Sequence, residues 1–326
     1  MLSLVTYLTM AYLSIDEMVG AGQQVIEQGT FEQLASRWQR FAIAADAALS
    51  LEYGAYGEFP LRSMAEILHH PIIRDAAEAL PWSEVGELGN GYGGARFVDY
   101  GSGAGRLCLA VAAMHDWGSV VGVEAMEALH SIADTAARVA EQRGLLREGV
   151  ARSLHSGDAL AHEEPVASVM ALADVTFLYS TAFPSEDGLR LPRLSASLAC
   201  AVREGSLLVT ADKWLVGSRF RFETLLTVRG ENDEDIQAHI WRVVGPPIVE
   251  GDGSACFEAA LAEVEEHWAG EDACADNEKA CQALLHALGE APDEEGNNKK
   301  RRSLVDELSD FASTVQAAVA EQRDEL

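Results

Sequence analysis

Phe97-Val98-Asp99-Tyr100-Gly101-Ser102-Gly103-Ala104-Gly105-Arg106-Leu107 is the stretch whose reading decides the fold. A short apolar run enters an acidic residue, opens into three glycines at alternate positions, and leaves as an apolar helix through Leu107, Leu109, Ala110, Ala113 and Met114. Strand, glycine turn and helix form the first half of a βαβ unit, in which a nucleotide-like ligand sits at the helix N-terminus. Side chains at the glycine positions would hold such a ligand away from the backbone.

Glycine spacing selects the ligand. A dinucleotide fold uses G-x-G-x-x-G, with its last glycine where Arg106 stands. Here the pattern Gly101, Gly103, Gly105 is G-x-G-x-G, with Asp99 two residues ahead of it. That form resembles motif I of the S-adenosylmethionine (SAM) methyltransferases. The next apolar run, Val120 to Val123, predicts a strand ending in Glu124, 23 residues beyond Gly101. A carboxylate there can accept from both hydroxyls of a ribose. The competing reading is a glycine turn in an unrelated α/β domain.

Working outward, Ala151 to His155 predicts a third strand, leading into Gly157-Asp158-Ala159. An acid at that strand end either accepts from an adenine amino group or makes a turn. Val175 to Tyr179 predicts a buried fourth strand ending in Ser180-Thr181-Ala182-Phe183-Pro184, where such folds place the reacting group. Ser206 to Thr210 predicts a fifth strand. Phe220 to Val228 and Ile236 to Val244 predict an antiparallel pair around Gly230-Glu231-Asn232-Asp233. The expected fold is a doubly wound, mostly parallel, seven-stranded α/β sheet of the Rossmann-like kind over residues 51–248, with helical extensions at both ends.

Those extensions are an N-terminal helical cap over 1–50, an acidic helical segment over 249–291, a linker over 292–302 and a final helix over 303–326. The cap carries an amphipathic stripe at Phe31, Leu34, Trp38 and Phe41. The linker holds Lys299-Lys300-Arg301-Arg302, the one basic run, which reads equally as an import or nucleic-acid patch and as charge balance. His69-His70 before Pro71 reads as a helix end, because adjacent helical residues point apart.

Composition narrows the function. With 48% hydrophobic and 23% charged residues the chain can bury a sizeable core. Its net charge of −28 repels nucleic-acid phosphate, which argues against direct duplex binding, and draws a basic protein. Five cysteines without a C-x-x-C pair argue against a disulfide framework and a zinc site, and fit a reducing compartment. No apolar run approaches the roughly 18 residues that span a bilayer, so no membrane association is expected. The expected compartment is nuclear or cytoplasmic. The terminal Arg-Asp-Glu-Leu is close to the K-D-E-L retrieval address and makes the ER lumen a minor alternative. Oligomeric state is not legible.

From about Tyr56 to Trp214 the chain resembles the class I SAM methyltransferases, and within them the non-SET histone-lysine methyltransferases of the disruptor-of-telomeric-silencing type. Tyr56-Gly57-Glu58 looks like that family's cofactor-covering loop, and Asp99, Gly101 and Gly103 match its glycine loop. Gly122-Val123-Glu124 matches its ribose-binding strand end, Gly157-Asp158 its adenine-binding turn, and Ala182-Phe183 the tail of its Asn-Asn-aromatic-x-Phe motif. The resemblance implies SAM as cofactor, no metal, and a lysine acceptor on a basic protein such as a histone. Gly105 and Ala159 complete the expected cofactor set, and Tyr179, Ser180, Thr181 and Phe183 form the expected reacting site. Tyr179, Phe183 and Trp214 are walls of an acceptor channel or ordinary core, and Ser180 or Thr181 could hydrogen-bond the incoming nucleophile. The family's paired asparagines fall on Tyr179 and Ser180, and its basic nucleosome-holding segment has no counterpart apart from Lys299–Arg302. Two alternatives share the fold: a methyltransferase for a small molecule, and a SAM-binding scaffold without turnover.

Overall fold

The apolar runs pair into one seven-stranded sheet in the order β3-β2-β1-β4-β5-β7-β6. The strands are β1 (Arg96–Tyr100), β2 (Ser119–Glu124), β3 (Ala151–Ser156), β4 (Val175–Leu178), β5 (Leu207–Ala211), β6 (Phe220–Arg229) and β7 (Asp235–Val243). Strands β1 to β5 run parallel, while β7 pairs antiparallel with both β5 and β6. The structure is a computed structural model that describes residues 14–29, 58–78, 95–115, 117–145, 151–157, 166–183, 185, 188–231, 233–246 and 253–269. Two compact units divide the chain, Met1–Asn277 and Glu278–Leu326, the second lying wholly outside the described residues. The expected helical stripe at Phe31 to Phe41 lies outside them too, as do Tyr56, Gly57, Asp158, Ala159, Cys274, Cys281 and the basic run.

Helices cover both faces, as crossovers between parallel strands require. They are α1 (Ile15–Gly29), α2 (Leu61–His69), α3 (Pro71–Glu78), α4 (Arg106–Met114), α5 (Glu127–Gln142), α6 (Val166–Ala171), α7 (Pro192–Ala201) and α8 (Gly253–Ala269). Alternate residues along each strand feed two cores. Phe97, Val120, Val175, Phe177, Leu207 and Val209 pack with Met18 and Ile26 of α1, Met64 and Ile67 of α2, and most of α4. Val98, Val123, Leu178, Leu208 and Trp241 pack with Leu194 and Leu198 of α7 and Ala260 of α8. Helix α4 is buried along nearly its whole length, which is why it reads as apolar all round in sequence.

One expectation is corrected here. Cys200 and Cys256 form a disulfide between α7 and α8, although the sequence argued against disulfide pairing. The two residues are 56 apart with no spacing motif, and only the packing of α8 on α7 brings them together. Cys108 is buried and takes no part in a disulfide. His69 and His70 end α2, the first as its last residue and the second as its C-cap. Among the described residues no helix is long and apolar enough to cross a membrane.

Candidate active site

The parallel strands all end at one edge, and the glycine loop between β1 and α4 lies at its centre. Gly101, Gly103 and Gly105 have φ of 91°, 55° and 75°, in the left-handed region that suits glycine. The loop hangs on β2 through Gly101 N–H and Ser102 N–H, which both donate to the Val123 carbonyl (2.9 and 2.8 Å). Gly105 caps α4 and faces α5: a Cβ there would lie 2.7 Å from the Ala133 Cβ. Its lack of a side chain therefore answers to helix packing. A Cβ on Gly101 would lie 3.6 Å from the Phe183 ring, in ordinary contact.

Glu124 ends β2 and is buried. Its Oε2 accepts from Gly103 N–H (2.7 Å) and its Oε1 from Met126 N–H (2.8 Å). Burial raises its pKa, while the Met126 and Gly103 donors pull the other way. Two oxygens with about four lone-pair sites leave room for further donors. Asp99, on the penultimate residue of β1, is only 3% exposed. Burial, with the nearby charges of Glu124 and Glu58, pushes its pKa up to about 7.

Glu58 reaches this edge from the segment before α2. Arg106, the first residue of α4, places Nη1 2.5 Å from Glu58 Oε2 and 3.5 Å from Glu231 Oε1. Burial works against the Arg106 charge, but the two carboxylates outweigh it and raise its pKa. The residue that excludes a dinucleotide motif thus clamps the β6–β7 hairpin and the Glu58 segment to the loop.

Beyond β4 the chain turns through a short 3-10 segment, Ser180–Ala182. Ser180 is fully buried and its Oγ donates to the Ala211 carbonyl at the end of β5 (2.5 Å). The hydroxyl expected to meet a nucleophile is engaged in joining two strand ends. Thr181 is exposed, and its side chain hydrogen-bonds Tyr179. Tyr179 is half-buried and meets Phe59 edge-on at 5.4 Å between centroids. Burial raises its phenol pKa, and the charges of Asp212, Glu234 and Glu231 add to the rise. Phe183 stacks on Tyr100 at 6.4 Å. Trp214 is partly buried and packs against Phe222, His239 and Trp241.

The sequence reading missed Asp212 and Lys213, which follow β5 directly. Lys213 Nζ donates to the carbonyls of Thr181 (2.7 Å) and Phe183 (2.6 Å). Asp212 Oδ1 accepts from Gln237 N–H, and Asp212 N–H donates to the Gln237 carbonyl, each at 2.8 Å. Their one signal in the sequence was position at a strand's carboxyl end.

Sheet order, crossover helices and a glycine loop answered by a carboxylate on the next strand define a class I methyltransferase fold. Residues 92–226 match the family model described as "Histone methylation protein DOT1". No curated protein matches the chain in sequence. Among solved structures the chain is similar to the rRNA methyltransferase aviRa from Streptomyces viridochromogenes, with 16% identity and a TM-score of 0.40 over 63% of this chain and 89% of that one. It is also similar to a 16S rRNA (adenine(1408)-N(1))-methyltransferase variant from Catenulisporales acidiphilia, solved with cosubstrate SAM, with 15% identity and a TM-score of 0.34 over 47% and 86%. A SAM-dependent methyltransferase from Methanosarcina mazei gives 13% identity and a TM-score of 0.34 over 46% and 93%. The chain is a SAM-dependent methyltransferase that resembles the histone-methylating DOT1 family over residues 92–226.

The residues present fit that cofactor. The left-handed glycines at 101 and 103 carry no side chain to fill the space at the loop, Glu124 keeps acceptor sites beside it, and the buried carboxylate of Asp99 suits a cation.

Proposed function

We propose that this chain transfers a methyl group from SAM to a lysine of a basic, histone-type protein. The observation that carries this reading is the family match over residues 92–226, which spans both the glycine loop and the Tyr179–Phe183 loop. A net charge of −28 supports it, since such a surface attracts a basic partner. A histone acceptor implies work in the nucleus.

When bound, SAM supplies an electrophilic methyl on a sulfonium, and the chain's own residues bind and align. Glu124 takes the ribose hydroxyls with the acceptor sites left by Gly103 and Met126, and Asp99 offers negative charge to the cofactor's ammonium. Tyr56, Gly57 and Glu58 cover it, with Glu58 anchored by Arg106. Asp158 and Ala159 meet the adenine. Alignment of two bound reactants can supply roughly 7–11 kcal/mol of barrier reduction without acid–base help. A lysine nucleophile must also shed a proton from a reference pKa near 10.4. The half-buried rings of Tyr179 and Phe183, with the buried ring of Phe59 behind Tyr179, favour the neutral amine by desolvation.

The test is transfer of labelled methyl from SAM, run in parallel on reconstituted nucleosomes, free core histones and a protein-free metabolite extract. Label on a histone lysine is the expected result. Label confined to the metabolite arm would move the acceptor to a small molecule. Tight SAM binding with no label in any arm would make the chain a scaffold.

A further inference from the structure

The β5 end carries a device that neither the family match nor the cofactor chemistry requires. Asp212 has φ of 61°, and within the chain described only Asp233, at the hairpin tip, is another non-glycine residue with positive φ. Lys213 N–H donates to the Ala211 carbonyl at 2.8 Å, closing a three-residue turn about Asp212. A γ-turn whose central residue has positive φ is the rare and strained kind. Such strain persists only where the surroundings over-determine it, and it concentrates at functional sites. The restraint here is β7, through the paired hydrogen bonds between Asp212 and Gln237.

That turn has a consequence for the neighbouring loop. Asp212 and Lys213 leave β5 towards the Tyr179–Phe183 segment, and the Lys213 ammonium donates to two carbonyls of that segment. Phe183 in turn stacks on Tyr100 and lies in contact range of the Gly101 position. The path therefore runs from a strained turn, through an ammonium, to the ring that borders the glycine loop. It occupies the region where the family's paired asparagines are replaced by Tyr179 and Ser180.

We propose that the Asp212–Lys213 elbow is a positioning device for methyl transfer: the turn at Asp212 aims the Lys213 ammonium at the Thr181 and Phe183 carbonyls and so fixes the Phe183 ring beside the glycine loop. Lys213 touches neither reactant and acts through Phe183. Burial lowers its pKa, with the Asp212 charge opposing, which agrees with an ammonium drawn into the loop and away from water. Charge-assisted hydrogen bonds to two carbonyls hold the loop more rigidly than neutral ones would. The inference needs methyl transfer from SAM, and stands whichever acceptor the enzyme uses.

The experiment compares K213M, K213R, F183A and the K213M/F183A double variant with wild type. Transfer is assayed on core histones or, if wild type labels only the metabolite extract, on that extract. SAM affinity is measured by calorimetry, and amide hydrogen exchange is followed at residues 179–183 and 101–105. Expected for K213M is a 10- to 100-fold fall in kcat per folded molecule, SAM affinity within about threefold of wild type, and faster exchange at 179–183 only. K213R restores at least a third of kcat, and the double variant is no slower than F183A. The exchange readout needs no acceptor and tests the restraint on the loop by itself, whereas no label in any arm would overturn the role in transfer. Unchanged exchange at 179–183, a kcat within twofold of wild type, or losses that multiply in the double variant would overturn the proposal. A histone arm without label, beside a K213M defect in the metabolite arm, would remove the lysine acceptor and leave the elbow standing.

Discussion

The β1–β2 side of the sheet's carboxyl edge, where we place the cofactor, and the β4–β5 side, where we place the acceptor, are built from different materials. On the β1–β2 side, a loop of three left-handed glycines is tied to one carboxylate, Glu124, by the N–H groups of Gly103 and Met126, and each part has a residue type that chemistry dictates. On the β4–β5 side the ties are side chain to carbonyl: Ser180 to Ala211, Lys213 to Thr181 and Phe183. Several residue types could make such ties, so no motif announces them. A site half that answers to backbone geometry is readable as a pattern, while one that answers to side-chain reach is readable only in space.

The largest expected effect breaks the cofactor half. Glu124→Ala removes the acceptor for Gly103 and Met126 and the group we propose for the ribose, and calorimetry should show SAM affinity down by about 100-fold or more, since each hydrogen bond to a charged group is worth roughly 1.5–3 kcal/mol. Unchanged affinity would dissolve the contrast between the halves.

Within the loop, Gly105→Val adds a side chain where Cβ alone meets Ala133 at 2.7 Å and φ is 75°. Left-handed strain of roughly 1–2 kcal/mol and overpacking of roughly 1–3 kcal/mol should together cost about 3 kcal/mol in denaturant unfolding. Gly101→Ala carries only the strain, because its Cβ meets Phe183 at an ordinary 3.6 Å, and should reduce SAM affinity more than stability.

A pH titration sharpens the comparison further. The pKa of Asp99 is raised in the folded state, to about 7 from 3.8, so its contribution to stability is complete below pH 4 and is lost as pH rises to 7. His239, buried in the aromatic cluster at the other end of the sheet, is depressed from 6.5 to about 4 by burial, so its contribution is present above 6.5 and lost as pH falls. The two slopes oppose each other between about pH 4 and 6.5, each at up to roughly 1.4 kcal/mol per unit. Thermal unfolding of Asp99→Asn should therefore gain stability with pH over that window relative to wild type. Parallel profiles would show that Asp99 is not held above its ordinary range.

The smallest effect belongs to the acceptor half. Ser180→Ala removes one donor from the Ala211 carbonyl, which keeps Lys213 N–H, so it should cost about 1 kcal/mol. Transfer per folded molecule should stay within twofold of wild type. A tenfold loss would restore Ser180 as a group that meets the nucleophile.

Much of the frame was legible beforehand. Alternating apolar runs marked all seven strands, and the observed strands differ from the expected ones by a residue or two at their ends, as Ala211 rather than Thr210 closes β5. Asp99, Gly101, Gly103, Gly105 and Glu124 meet at one edge because a strand, a tight turn and the next strand keep them close. Phe183 joins them from β4, stacked on Tyr100. What escaped were residues whose role depends on distant partners. Ser180 looked like a free hydroxyl at a strand end, and Lys213 carried no signal beyond its place after a strand. Cys200 and Cys256 looked unpaired, since nothing at a separation of 56 residues signals a bridge.

By itself, then, the sequence determined the doubly wound sheet, its order of strands and helices, and the glycine–carboxylate cradle, because these follow from hydrophobic period and from conformations that few residue types tolerate. Tertiary structure alone decided that Arg106 clamps Glu58 and Glu231, that Asp212 is bent into a strained turn, and that Lys213 grips the loop beside the cradle. Those are meetings of side chains from separate strands, and they exist only once the sheet has set the strand ends side by side.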